Sequence, residues 1–144
     1  MKKLTFLILL LFITISSFAQ NAGAIVGVWL NQEKDAKIEI YKSGEKYYGK
    51  LIWGKNIFEA DGKTSKKDSK NTDESLRTRN LLNLVLLKDF VYDEDDKEWT
   101  DGTIYDPKNG KTYSCVMSIE NSSLKITGYI GFTWIGRTVV WTKP

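Results

Sequence analysis

Hydrophobic and polar positions alternate with a period of two along most of the chain. In Ala36–Tyr41, Ile38 and Ile40 oppose Lys37, Glu39 and Tyr41. In Lys111–Ile119, Tyr113, Cys115, Met117 and Ile119 share one face, and Thr112, Ser114 and Ser118 the other. In Leu124–Ile130, Leu124, Ile126 and Ile130 oppose Lys125 and Thr127. Successive side chains of a strand point to opposite faces, so each segment reads as a strand with one buried and one wet side. Ile25–Leu30, Lys46–Trp53, Leu81–Phe90, Glu98–Tyr105 and Gly136–Thr142 join them, rich in Ile, Val, Tyr, Trp and Thr. Between them lie compact turns, the clearest being Asp106-Pro107-Lys108-Asn109-Gly110. Proline sets φ early in that turn and Gly110 supplies a positive φ late in it. Short turns leave no room for crossover helices. The pattern therefore predicts an all-β fold: a single antiparallel up-and-down barrel of about eight strands.

One segment breaks the rhythm. From Glu59 to Ser75 there is no aliphatic or aromatic residue except Ala60, and the charges alternate in sign. This reads as a long solvated loop. Residues 71–79 at its end suit one or two helical turns, with Asn71 or Thr72 as cap, acids in the first turn and Arg77 and Arg79 in the last. Leu76 needs a place to bury. Covering one open barrel end supplies it, which sets residues 59–79 near the mouth of a cavity.

The N-terminus follows different rules. Lys2 and Lys3 precede a twelve-residue apolar run, Leu4–Ile15, and then Ser16-Ser17-Phe18-Ala19. This is the pattern of a signal peptide cleaved after Ala19, and the run falls short of the roughly 18 apolar residues a spanning helix needs. No cysteine follows it, so a lipoprotein anchor is excluded. Residues 20–144 are expected to form the single exported, soluble domain, periplasmic or extracellular. Losing Lys2 and Lys3 takes the basic count from 21 to 19 against 18 acids, a formal charge of +1 in place of +3. That balance offers neither a nucleic-acid footprint nor a polybasic membrane patch.

Composition narrows the chemistry further. The chain has no histidine and one cysteine, Cys115. Triads, Cys-His dyads, histidine-ligated metals, zinc clusters and internal disulfides are all excluded. The run Asp93-Glu94-Asp95-Asp96 lacks the alternation of a calcium loop and reads as a hairpin tip. No metal, no cofactor and no catalytic constellation is expected.

Three groups of residues remain as candidates. Gly27 and Trp29 open the first strand and Arg137 lies in the last; in a closed barrel these strands are neighbours, and Arg137 is expected to lie over the Trp29 ring. Asp73, Arg77 and Arg79 form a second group, in which Asp73 and Arg77 are spaced to pair along a helix face. Two arginines at a barrel mouth suit a carboxylate or phosphate, but a salt-bridged plug explains them more simply. Tyr105 and Tyr113, beside Asp106 and Lys111, flank the tight hairpin and offer a polar patch, although turn formation accounts for them too. Trp53 completes the ligand-binding candidates.

Gly27-x-Trp29, Gly49-Lys50-Leu51-Ile52-Trp53, Leu76-Arg77-x-Arg79, Gly102-Thr103-Ile104-Tyr105-Asp106-Pro107-x-x-Gly110-Lys111-x-Tyr113 and Gly136-Arg137-Thr138-x-x-Trp141 occur in this order behind the signal-like segment. Together they resemble a family of small secreted bacterial proteins catalogued as domain of unknown function 2147, over nearly the whole of residues 20–144. The resemblance implies a compact lipocalin-like barrel and no established activity. It also marks departures. Where many relatives carry a cysteine pair across the second hairpin, this chain has Ser43 and Tyr48, so the hairpin must rest on packing. Where relatives have proline and glycine, it has Asn80 and Asn83, which implies a looser exit from the helical turn.

Beside an enzyme, in which catalysis would rest on Asp, Glu, Lys or Tyr with no pair singled out by spacing, two readings of function follow. In the first, the barrel carries a small apolar, amphipathic or anionic ligand. In the second, it is a structural or interaction domain of the cell envelope with a filled core. Tryptophans can line a cavity or fill one, so the five in this chain do not separate the two. The state of the barrel interior does.

Overall fold

The computed structural model describes residues 22–130 and 133–144, without the side chains of 130–135. The signal-like segment lies outside the described residues. Eight strands follow one another: β1 (Gly27–Leu30), β2 (Ala36–Ser43), β3 (Lys46–Gly54), β4 (Val85–Asp93), β5 (Glu98–Asp106), β6 (Lys111–Glu120), β7 (Ser123–Ile130) and β8 (Thr133–Trp141). Each pairs antiparallel with its sequence neighbour in one eight-stranded sheet. A reciprocal pair of hydrogen bonds between Leu30 and Thr142, 2.7 and 3.0 Å, brings the sheet's two edges together. The result is an up-and-down barrel.

The register fixes the faces. Trp29 pairs with Ile38 and Ile38 with Leu51; Ile40, Gly49, Leu87, Ile104 and Tyr113 form a second row; Trp99, Met117, Ile126 and Val139 form a third. These rows point inward and hold eight of the eighteen buried core side chains. Two glycines show how closely that interior is filled. A Cβ on Gly49 would meet Leu87 Cδ1 at 2.8 Å, and one on Gly102 would collide with the Phe90 ring. Phe90 and Leu87 are fully buried and occupy the centre through the room the glycines leave. At the end where β1 starts, buried Ile25 closes the barrel; its carbonyl accepts from Trp29 Nε1 (2.8 Å) and that of Ala22 from Trp99 Nε1 (3.1 Å).

The same register corrects the expected Arg137–Trp29 contact. Antiparallel pairing at Leu30–Thr142 brings Lys143 level with Trp29, and Lys143 Nζ sits 4.0 Å from the ring centroid. Gly27 leaves space for it, since a Cβ there would stand 3.2 Å from that nitrogen. Arg137 lies five residues before Thr142, about 17 Å along the strand. It is 81% exposed and pairs with Glu33 at 3.7 Å. The cation over the tryptophan exists, but the shortness of β1 assigns it to the chain end.

The second hairpin does rest on packing, with Tyr41 and Tyr48 stacked 5.9 Å apart across it. The exit from residues 71–79 is not loose. Asn83 takes the positive φ (64°) that glycine would favour and asparagine tolerates, and its N–H donates to Leu51 O at 2.7 Å.

Candidate functional site

Residues 55–84 join β3 to β4 as a folded strap. It is built on itself: Lys66 N–H donates to Ile57 O, Leu81 N–H to Lys66 O and Asp68 N–H to Arg79 O. Asp61 ties its tip by accepting from the Lys63 and Thr64 amides, both at 2.8 Å. The Thr64 hydroxyl and these amides hold the Asp61 carboxyl below the usual range. The ends of the strap are apolar: Ile57 and Leu84 are buried, and Phe58, Leu81 and Leu82 pack on the core. They do the docking expected of Leu76, which is 38% exposed.

The helical stretch is shorter than the sequence predicts. A single 3-10 turn, Glu74–Leu76, is capped by Asp73 rather than Asn71 or Thr72. Asp73 Oδ1 accepts from the Ser75 hydroxyl (2.6 Å) and amide (3.0 Å), and these bonds lower its carboxyl pKa. With Asp73 engaged as cap, Arg77 pairs instead with Glu74 (3.4 Å) and donates from Nε to Asn71 O (2.7 Å).

Arg79 meets a carboxylate that sequence reasoning missed. Asp68, 0% exposed, accepts from Arg79 Nε and Nη2 at 2.8 Å each, from Asn71 Nδ2 at 2.9 Å and from the Tyr105 hydroxyl at 2.5 Å. The guanidinium carbon lies 5.2 Å from the Tyr105 ring centroid. Burial, and then the bond to Asp68, push the Tyr105 phenol up from its ordinary pKa. Four residues from the strap and β5 thus satisfy one another, which is the condition for a buried charge to persist. Nothing in Lys66-Lys67-Asp68-Ser69-Lys70 sets Asp68 apart from its solvated neighbours.

Tyr105 also places the strap. It pairs with Thr112, one residue off the inward row of Ile104 and Tyr113, and so lies on the outer face. Gly110 completes the seat: with φ of 74° it closes the β5–β6 turn, and a Cβ there would collide with Lys70 O. The strap is therefore seated on the outside of the wall at Tyr105 and Gly110. Between it and the wall opens a cleft of about 610 Å³. Its floor includes the outward row Lys88, Thr103, Ser114 and Tyr129 across β4–β7. Asn71, Thr72, Leu76 and Arg79 line its strap side. A more open cleft beside it runs toward Tyr41 and Tyr48, and the two share Arg79, Val85 and Lys88.

The candidates thus separate. Arg79 and Tyr105 line the first cleft; Tyr113, inward by register, borders it only beside the hairpin, its hydroxyl accepting from Asn109 Nδ2 at 2.8 Å. Asp73 and Arg77 shape the strap and do not line it. Trp53 stands apart, paired with Lys37, whose Nζ lies 5.6 Å from its ring centroid. Among the described residues no group of three or more acidic or cysteine side chains could hold a metal, and no helix is long and apolar enough to cross a membrane.

Eight antiparallel strands in sequence order, curled until first and last meet, define a lipocalin-like barrel. The protein HP1028 from Helicobacter pylori, a solved structure described as belonging to the lipocalin family, superposes with a TM-score of 0.70 at 25% identity, over 83% of this chain and 82% of that one. The chain belongs to the bacterial family described as "Uncharacterized protein conserved in bacteria (DUF2147)", which matches residues 27–143. No curated protein matches.

Proposed function

We propose that this is an exported binding protein for a small amphipathic molecule, held in the cleft between strap and outer wall. The observation that carries the reading is the cleft itself. Its volume, about 610 Å³, falls within the roughly 300–1,000 Å³ typical of small-molecule sites. Leu76, Val85 and Leu86 give it apolar surface, and Thr72, Thr103, Thr112 and Ser114 give it hydroxyls. The network around Asp68 fixes the strap, so the cleft is preformed and little ordering entropy opposes binding. Close packing around Phe90 and Leu87 supports the outer cleft over the lumen. That same packing is what favours the alternative, an envelope domain with a filled core and no ligand.

Ser114→Trp separates the two. Ser114 is exposed on the cleft floor, so an indole there occupies ligand space without entering the core. Binding of a lipophilic fluorescent probe to the parent protein, lost in Ser114→Trp at unchanged melting temperature, is the expected result. No binding by either protein supports the structural domain. Export rests on residues 1–19, and N-terminal sequencing of the protein recovered outside the cytoplasm should begin at Gln20; an intact Met1 contradicts it.

A further inference from the structure

The second cleft is built from different material. Its aromatic side lies on the outer face of β2 and β3, where Tyr41 pairs with Tyr48, one residue off the inward Ile40 and Tyr47. The two rings stack at 5.9 Å, which covers one face of Tyr48 and leaves the other for contact. The Tyr48 hydroxyl donates to Asp89 Oδ1 at 3.0 Å, and Lys50 Nζ stands 5.5 Å from the Tyr41 ring centroid. The aromatic pair is held in place before any ligand arrives, which lowers the ordering cost of stacking on it. The strap contributes Asn80, Leu82 and Asn83 to the same cleft. The Asn83 side chain and the Lys88 ammonium are exposed, and among the described residues neither bonds another side chain. Asn80 Oδ1 accepts from Lys67 Nζ at 2.6 Å, so its amide nitrogen remains a donor.

These features define a ligand class. The face of an aromatic ring is negative and attracts C–H groups that carry partial positive charge. Amide and ammonium donors beside it suit hydroxyl oxygens. Lys88 is a single cation with the Asp89 carboxylate next to it in the chain, which does not single out an anion. The cleft measures about 670 Å³ and is open to solvent. It leaves part of a polar ligand in water and avoids the cost of burying every hydroxyl. We infer that this cleft is a sugar-binding subsite, with the C–H face of an uncharged pyranose on the Tyr48 ring and its hydroxyls on Asn80, Asn83 and Lys88. The subsite goes beyond the amphipathic ligand of the first cleft and does not depend on it.

The test is a backbone amide NMR titration of the protein with the methyl glycosides of glucose, galactose, mannose and N-acetylglucosamine. At least one is expected to shift the amides of Tyr41, Tyr48, Asn80, Asn83 and Lys88. Tyr48→Leu removes the ring. Asn83→Gly removes the side-chain amide and keeps a residue that adopts the positive φ of 64° freely. Each should weaken the responding glycoside by roughly fivefold, the worth of one stacking contact or one hydrogen bond. Tyr48 also supports the second hairpin, so the melting temperature of Tyr48→Leu is expected to fall, and Asn83→Gly decides. Ser114→Trp, which blocks the first cleft, should bind the glycoside as the parent does. No shift with any of the four glycosides, or undiminished binding by Asn83→Gly, overturns the inference and leaves the first cleft's ligand untouched. Tighter binding of adenosine than of every glycoside at these amides also overturns it, because the aromatic pair then serves a planar base.

Discussion

Cys115 shows how completely one side chain's chemistry is set by its face of a strand. It sits on the inward row opposite Gly102 and Gly128, and burial pushes its thiol from 9.0 up to about 12. The sign of the consequence follows. In the unfolded chain the thiol ionises near pH 9.0, whereas in the folded barrel it stays neutral until about pH 12. The contribution is therefore present in full below pH 9.0 and is lost as pH rises toward 12. Urea melts across that range should fall less steeply for Cys115→Ala than for the parent, and the native thiol should resist a thiol reagent at neutral pH. A thiol that reacts without unfolding contradicts this placement. That Cys115 is buried was legible from its alternation with Tyr113 and Met117. Asp68 was not legible, because its burial comes from a strap folding over Tyr105, a contact spanning 37 residues with no periodic signature.

At the scale of elements, alternation and turn chemistry located the strands well. β2, β3, β5 and β6 start where the pattern predicts, and Gly110 takes the expected positive φ. β1 starts at Gly27 and not Ile25, β8 at Thr133 and not Gly136, and β4 departs furthest, starting at Val85 and not Leu81. Leu81 and Leu82 read as strand because they are apolar, yet they belong to the strap and pack on the core from outside the ladder. Apolar composition reports burial and not the element that provides it. The strap itself depends on the ion pair at its root. Asp68→Ala leaves the partly buried Arg79 charge and the Tyr105 hydroxyl without their partner, a cost on the order of 3 kcal/mol. The melting temperature should drop, and limited proteolysis should cut within residues 59–79 while the barrel persists. Unchanged resistance of this segment to protease would show that the strap is held by its apolar ends alone.

Over the whole molecule, closure and site formation fall to different parts of the chain. The wall is sealed by Leu30–Thr142 and by Lys143 over Trp29, with Ile25 filling one end. The strap adds the concave surface outside. A barrel of this size with bulky inward residues has little room for a guest, and a loop anchored on its outer face makes a candidate site that the packing of the lumen does not limit. The sequence read the architecture but placed the cavity inside, because alternation identifies an inward face without telling whether Phe90 fills it. The most direct test of the outer site is a backbone amide NMR titration of the protein with a fatty-acid probe. Shifts concentrated at Leu76, Lys88, Thr103, Ser114 and Tyr129, with the inward residues Ile40, Leu87, Met117 and Ile126 unmoved, are the expected result. Shifts concentrated on those inward residues would place the ligand in the lumen and contradict the account.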